Sequence, residues 1–178
     1  FSDKDYEEKG THIKWNPAVK TEKDRLGLWE ALLDDRIDVL ATDHAPHTLE
    51  EKENLYGKAP SGGPLIQHTL QALLAKEKEG QITLEQLVQL SSHNVAILFG
   101  IENRGFVREG FAADLVLVDR DKSEMVGKNN ILYKCGWSPF EGVEFDSSIH
   151  ATFVNGNLVY NQGTFNENVL GQRMTFNR

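Results

Sequence analysis

One carboxylate and two imidazoles stand together in Ala41-Thr42-Asp43-His44-Ala45-Pro46-His47. Such side chains ligate metals, move protons and receive anions. They follow Ile37-Asp38-Val39-Leu40, an apolar run that reads as a buried strand continuing to Thr42. In parallel α/β folds functional groups gather where strands end and loops begin, so the position favours chemistry. Each residue also has an ordinary role. Asp43 suits a turn or helix cap as well as it suits catalysis. His44 reads as structural, because adjacent residues on an extended chain point to opposite sides. His47, after Pro46, is either a surface histidine or a cation for a substrate carboxylate. Asn16 closes a second strand candidate, His12–Trp15. It either opens onto the same sheet end as Asp43 or, before Pro17, simply ends its strand. His12, His68 and His150 lie in ordinary element contexts, and His93-Asn94 reads as a satisfied polar pair at a helix bend.

The elements that must position these groups are legible in outline. Thr21-x-x-Asp24 resembles a helix start, and Leu26, Trp29, Leu32 and Leu33 recur at helical spacing, which predicts an amphipathic helix from Glu22 to Asp34. Strand, helix, strand in that order predicts a βαβ unit with parallel strands. Thr48 to Gly63 reads as a long loop, and such loops are functional or mobile. A second helix, Leu65 to Lys78, is stopped by Gly80. A third opens on the capping box Thr83-x-x-Gln86 and is closed by Gly100. From about Gly105 the texture turns to short strands. Phe111–Val118 reads as turn then strand, and Ile149–Val154 with Asn157–Tyr160 form a hairpin around Asn155-Gly156. A boundary near residue 102 separates an α/β part, 1–102, from a β-rich part, 103–178.

The chain of 178 residues can bury one good core or two small ones. Its net charge of -8 disfavours nucleic acid, which wants basic patches. The single cysteine, Cys135, permits no internal disulfide, excludes a cysteine-based zinc site and suits a reducing cytoplasm. No stretch approaches the ~20 apolar residues of a membrane-spanning helix. Phe1 to Gly10 lacks the apolar centre of a signal peptide. The absence of an initiator methionine fits a sequence that begins inside a longer protein.

The string I-K-W-N-P-A-V-K, the helix after it and the strand ending in T-D-H-A-P-H together resemble dihydroorotase, a family of the metal-dependent amidohydrolase superfamily. Downstream, L-S-S-H-N-V-A-I-L-F-G-I resembles the family's helix after the barrel. G-F-V-R-E-G-F-A-A-D-L-V-L-V-D, W-S-P-F-E-G and T-F-V-N-G-N-L-V-Y resemble its closing β domain. Two places depart from the pattern. Asn16-Pro17-Ala18-Val19-Lys20 stands where a second Pro and an Arg are commoner, and Pro60-Ser61-Gly62 stands where a bulkier residue is common.

The resemblance implies the C-terminal portion of a (β/α)8 TIM-like barrel followed by part of a small β-sandwich domain. It implies Asp43 as the last zinc ligand and the general acid–base, next to a metal that lowers the pKa of its water toward ~7. It implies His47 and Asn16 as binders of the substrate carboxylate, and Pro60, Ser61 and Gly62 as a loop offering backbone groups to the ring. The reaction implied is the reversible interconversion of N-carbamoyl-L-aspartate and L-dihydroorotate in cytoplasmic pyrimidine synthesis. The assemblies it leaves open are a homodimer and a partnership with aspartate carbamoyltransferase.

The family's His-x-His pair, its two further histidines and its carboxylated lysine or aspartate are not in this sequence, and a full barrel takes about 250 residues. The expectation is therefore a C-terminal part with two barrel strands, inactive and sticky by itself. Two rivals stay open: a hydantoinase- or allantoinase-type cyclic-amide hydrolase, and a non-catalytic scaffold.

Overall fold

The computed structural model of the chain describes residues 1–177. It divides into two compact units. The first holds Phe1–Ile37, Ala41–Leu73 and Met125–Phe145; the second holds Asp38–Leu40, Leu74–Glu124 and the chain from Asp146 on.

Helices begin where the sequence supplies caps. After the single turn α1 (Tyr6–Lys9), helix α2 runs Glu22–Leu33. The Thr21 hydroxyl accepts the Asp24 N–H, and the Asp24 carboxylate accepts the Thr21 N–H at 3.1 Å. This reciprocal box satisfies two donors that an open helix end leaves bare. The same device builds α3 (Leu49–Lys52) from Thr48 and Glu51 inside the segment expected to be loop. Helix α4 (Thr69–Lys78) is followed by Gly80 at φ +75°. Thr83 and Gln86 cap α5 (Leu84–Val88). A π turn, Gln89–His93, then offsets it from α6 (Asn94–Phe99), which Gly100 ends in the left-handed region. The expected bend at His93-Asn94 is this π turn. The His93 ring stacks 4.3 Å from Phe106, and Asn94 Nδ2 donates to the Asp38 carbonyl at 2.7 Å.

Six strands are present among the described residues: β1 (Leu115–Asp119), β2 (Glu124–Met125), β3 (Glu144–Phe145), β4 (Ser148–Val154), β5 (Asn157–Asn161) and β6 (Thr164–Phe165). β1, β4, β5 and β6 form one antiparallel sheet in that order, and β2 pairs with β3. The β4–β5 hairpin turns on Asn155 and Gly156, both at positive φ, as the Asn-Gly dipeptide predicts. The Arg104 guanidinium fastens this turn by donating to Asp114 and Asn155. A single four-stranded sheet stands where part of a β-sandwich is expected, and no helix among the described residues is long and apolar enough to cross a membrane.

Two expected strands are corrected. His12–Trp15 is not a strand; the chain there makes a 3-10 turn, Gly10–Ile13. Ile37–Thr42 carries no ladder: Leu40 donates one hydrogen bond to the Leu90 carbonyl, and the sole parallel bridge nearby joins His44 to Gly63. A strand exists through its partners. Among the described residues single hydrogen bonds reach these runs but no strand pairs with them, so their apolar composition produces no βαβ unit. The same want of neighbours shows on the helices. Of the four residues expected to bury one face of α2, Leu32 is buried, whereas Leu26 is 56% exposed. Within the first unit the core gathers Ile13, Leu32, Val126, Trp137 and Phe145; within the second it gathers Leu74, Ile82, Leu87, Leu90 and Ala151.

Candidate functional site

The candidate residues all lie in the first unit. Asp43 sits at φ +43°, a left-handed conformation that Asp and Asn tolerate better than most residues. Its carboxylate is exposed and makes no hydrogen bond or ion pair among the described residues. The residues after it are fastened. His44 bridges Gly63 along the backbone, and Ala45 donates to the Gly63 carbonyl at 3.2 Å. His44 Nδ1 accepts the N–H groups of Leu65 at 3.1 Å and Ile66 at 3.4 Å, so the neutral ring carries its proton on Nε2. That ring lies 5.4 Å from Tyr133, whose hydroxyl accepts the Gln67 N–H. Burial pushes the Tyr133 phenol up to about 12, which keeps it protonated.

His47 faces the other candidate loop. Its Nε2 lies 3.1 Å from the Ser61 carbonyl, an acceptor only, so Nε2 carries the proton. Its Nδ1 lies 3.8 Å from the Glu51 carboxylate, and its own carbonyl accepts the Trp137 indole N–H at 2.8 Å. Gly62 explains the missing bulk noted in the sequence. At φ +131° it is buried, and a Cβ there would lie 2.5 Å from the Ala45 carbonyl oxygen and 3.3 Å from His47. Gly62→Ala is therefore expected to destabilise the unit by about 1–3 kcal/mol through strain and overlap. A urea melt with no measurable loss would contradict that close approach.

Two lysines hold this loop from below. Lys52 is fully buried, and its Nζ donates to the carbonyls of Lys14, Pro60 and Gly62 at 3.1, 3.0 and 2.8 Å. Burial, and then the nearby Lys14 ammonium, lower its pKa from the usual lysine range to about 8. Lys14 Nζ donates to the carbonyls of Tyr56 and Ala59, both at 2.6 Å. Gly62 N–H in turn donates to the Lys14 carbonyl at 3.0 Å. Trp15 packs its indole on Gly63, where a Cβ would lie 2.7 Å from Nε1. Asn16 follows it, exposed and without a hydrogen bond among the described residues.

The structure thus brings His47 against Ser61 and Gly62, and Pro60 onto Lys52. Asp43 and Asn16 are the exposed chain neighbours of His44 and Trp15, which pack on Gly63. Sequence reasoning missed Lys14, Lys52 and Trp137. The Thr48-x-x-Glu51 box is a signal for the short helix that carries Lys52, though not for its burial. No group of three or more His, Cys, Asp or Glu side chains that could hold a metal ion occurs among the described residues. Asp43 by itself does not fit a zinc site, which takes about three protein ligands.

Comparison with known proteins shows what the chain is similar to. Residues 9–159 match the amidohydrolase family. The dihydroorotase of Halobacterium salinarum is 40% identical over 138 residues, 78% of this chain and 33% of that protein. The dihydroorotase of Pyrococcus furiosus is 34% identical over 170 residues, 96% of this chain and 39% of that protein. Among solved structures, the L-hydantoinase (dihydropyrimidinase) of Arthrobacter aurescens superposes with a TM-score of 0.88 at 30% identity. It covers 98% of this chain, which spans 40% of that one. The chain therefore spans between a third and two fifths of the length of these relatives. It shares their α/β fold, with only some of the barrel elements formed among its described residues. By the match over most of its length, the chain belongs to the amidohydrolase family.

Proposed function

We propose that the chain supplies one wall of a dihydroorotase site, in which a cyclic amide is opened to, or closed from, an N-carbamoyl amino acid. The observation that carries this reading is the contact of His47 with Ser61 and Gly62, four residues after an exposed Asp43 that has no partner among the described residues. A partner-free carboxylate at a segment end is accessible for proton transfer. As water adds to the ring carbonyl, its proton passes to an Asp43 carboxylate oxygen and then to the ring nitrogen as the C–N bond breaks. The reverse path closes the ring. The substrate's own carboxylate takes the His47 Nε2–H in place of the Ser61 carbonyl and accepts a hydrogen bond from the Asn16 amide. The backbone of Pro60, Ser61 and Gly62 lines the ring. A lone carboxylate does not hold zinc, so the chain's own residues account for proton transfer and substrate binding only.

A second reading, a hydantoinase-type enzyme, is favoured by the superposition on the Arthrobacter aurescens structure. The two differ in whether the ring bears a carboxylate. The test is a substrate panel on the natural protein that carries this segment. Dihydroorotase predicts kcat/KM for L-dihydroorotate about a hundredfold or more above that for dihydrouracil or 5-alkylhydantoins, because a site built to pair a charged group rejects analogues that lack it. The opposite order would overturn the proposal in favour of the hydantoinase reading. The 178-residue chain alone is expected to turn over neither class.

A further inference from the structure

We propose that Lys52 is the positioning residue of this site: one buried ammonium ties the Pro60–Gly62 loop to the segment that leads into Asn16. The inference rests on the reading that this loop faces a cyclic-amide substrate. The geometry is specific. Three carbonyls converge on one Nζ, and an ammonium has three N–H donors, so the set is matched donor for acceptor. Two of the carbonyls, Pro60 and Gly62, flank Ser61, whose own carbonyl meets His47. The third, Lys14, is two residues before Asn16 and also accepts the Gly62 N–H. Lys52 therefore touches no reacting group yet fixes the loop that His47 meets and the segment that leads into Asn16.

A fully buried lysine without a carboxylate partner is costly to maintain, since burial penalises the charged form. Among the described residues no carboxylate lies within ion-pair distance of Lys52. The neighbours across from it are the Trp137 ring, 5.9 Å from Nζ, and Lys14, which is itself cationic. A methionine would fill the same space without that cost. The three carbonyls supply the reason for an ammonium: nothing apolar can hold them together.

Two arms test the proposal. Hydrogen exchange on the chain itself, in wild type and in Lys52→Met, follows the Gly62 and Ala45 amides. Loss of charge-assisted bonds predicts exchange about ten- to hundredfold faster at these two amides, with the β4–β5 hairpin unchanged. Unchanged protection at Gly62 and Ala45, or equal acceleration everywhere, would overturn it. If Lys52→Met does not fold, Lys14→Met, which frees the Tyr56 and Ala59 carbonyls, is expected to loosen the same loop to a lesser degree. In the natural protein, Lys52→Met should raise KM for L-dihydroorotate about tenfold or more while kcat changes far less. A fall in kcat at constant KM would overturn it. Failure of the dihydroorotase reading shows separately, as a wild type without that activity, and leaves the exchange arm to decide on Lys52.

Discussion

Asp43→Asn is expected to lower kcat for L-dihydroorotate by about 10²–10⁴-fold in the natural protein that carries this segment, the usual contribution of a positioned acid–base group. Asparagine is the informative replacement for three reasons found in the geometry. It has nearly the shape of aspartate. It tolerates the φ of +43° at this position, where most residues would be strained. It also caps turns and helices as well as aspartate does. If Asp43 were only a turn residue, the variant would keep both stability and rate. If it moves a proton, stability stays within about 0.5 kcal/mol while rate collapses, since the carboxylate is exposed and has no partner to lose among the described residues. Retention of most of the wild-type kcat would sink the proposed role of Asp43 and leave the capping alternative standing.

How much of this could be read beforehand depends on whether a feature is local. The α2 and α5 caps are legible because a Thr and an acid or amide three residues later satisfy the helix end by themselves. The β4–β5 turn is legible because Asn155-Gly156 alone determines its backbone. The run Ile37–Thr42 reads as a strand, yet a strand needs a neighbour, and composition cannot state whether one lies alongside. The candidate site divides in the same way. Asp43 and His47 announce themselves by residue type, and their proximity to Pro60–Gly62 follows from the resemblance. The role of Lys52 does not: a lysine in a charged stretch, Glu50-Glu51-Lys52-Glu53, reads as solvated surface. The Thr48-x-x-Glu51 box signals the helix that carries Lys52, but its burial depends on carbonyls from residues 14, 60 and 62, which only the folded chain assembles. His44 is intermediate. Its structural role follows from alternation along an extended segment, but its acceptor bonds to Leu65 and Ile66 required the loop to return.

The second large effect concerns Trp137. The W-S-P-F-E-G string is read in the sequence only as a familiar pattern, and the structure gives it work within the first unit. Trp137, 2% exposed, donates its indole N–H to the His47 carbonyl, stacks 4.9 Å from His12 and lies under the Lys52 ammonium. Ser138 Oγ lies 3.2 Å from His68 Nδ1, and Phe140 packs on the same imidazole. Trp137→Ala removes the largest side chain of this core and is expected to cost about 3–5 kcal/mol in a urea melt. Trp137→Phe separates the two contributions. It keeps most of the apolar contact but leaves the His47 carbonyl without its donor, a loss of about 1–3 kcal/mol if water does not replace it. The loosening should then centre on His47 and its contact with Ser61, so hydrogen exchange should quicken at the Ala45 amide and not in the β4–β5 hairpin. A Trp137→Phe chain as stable as the parent would mean that the indole N–H contributes nothing and that Ser61 alone holds His47 in place.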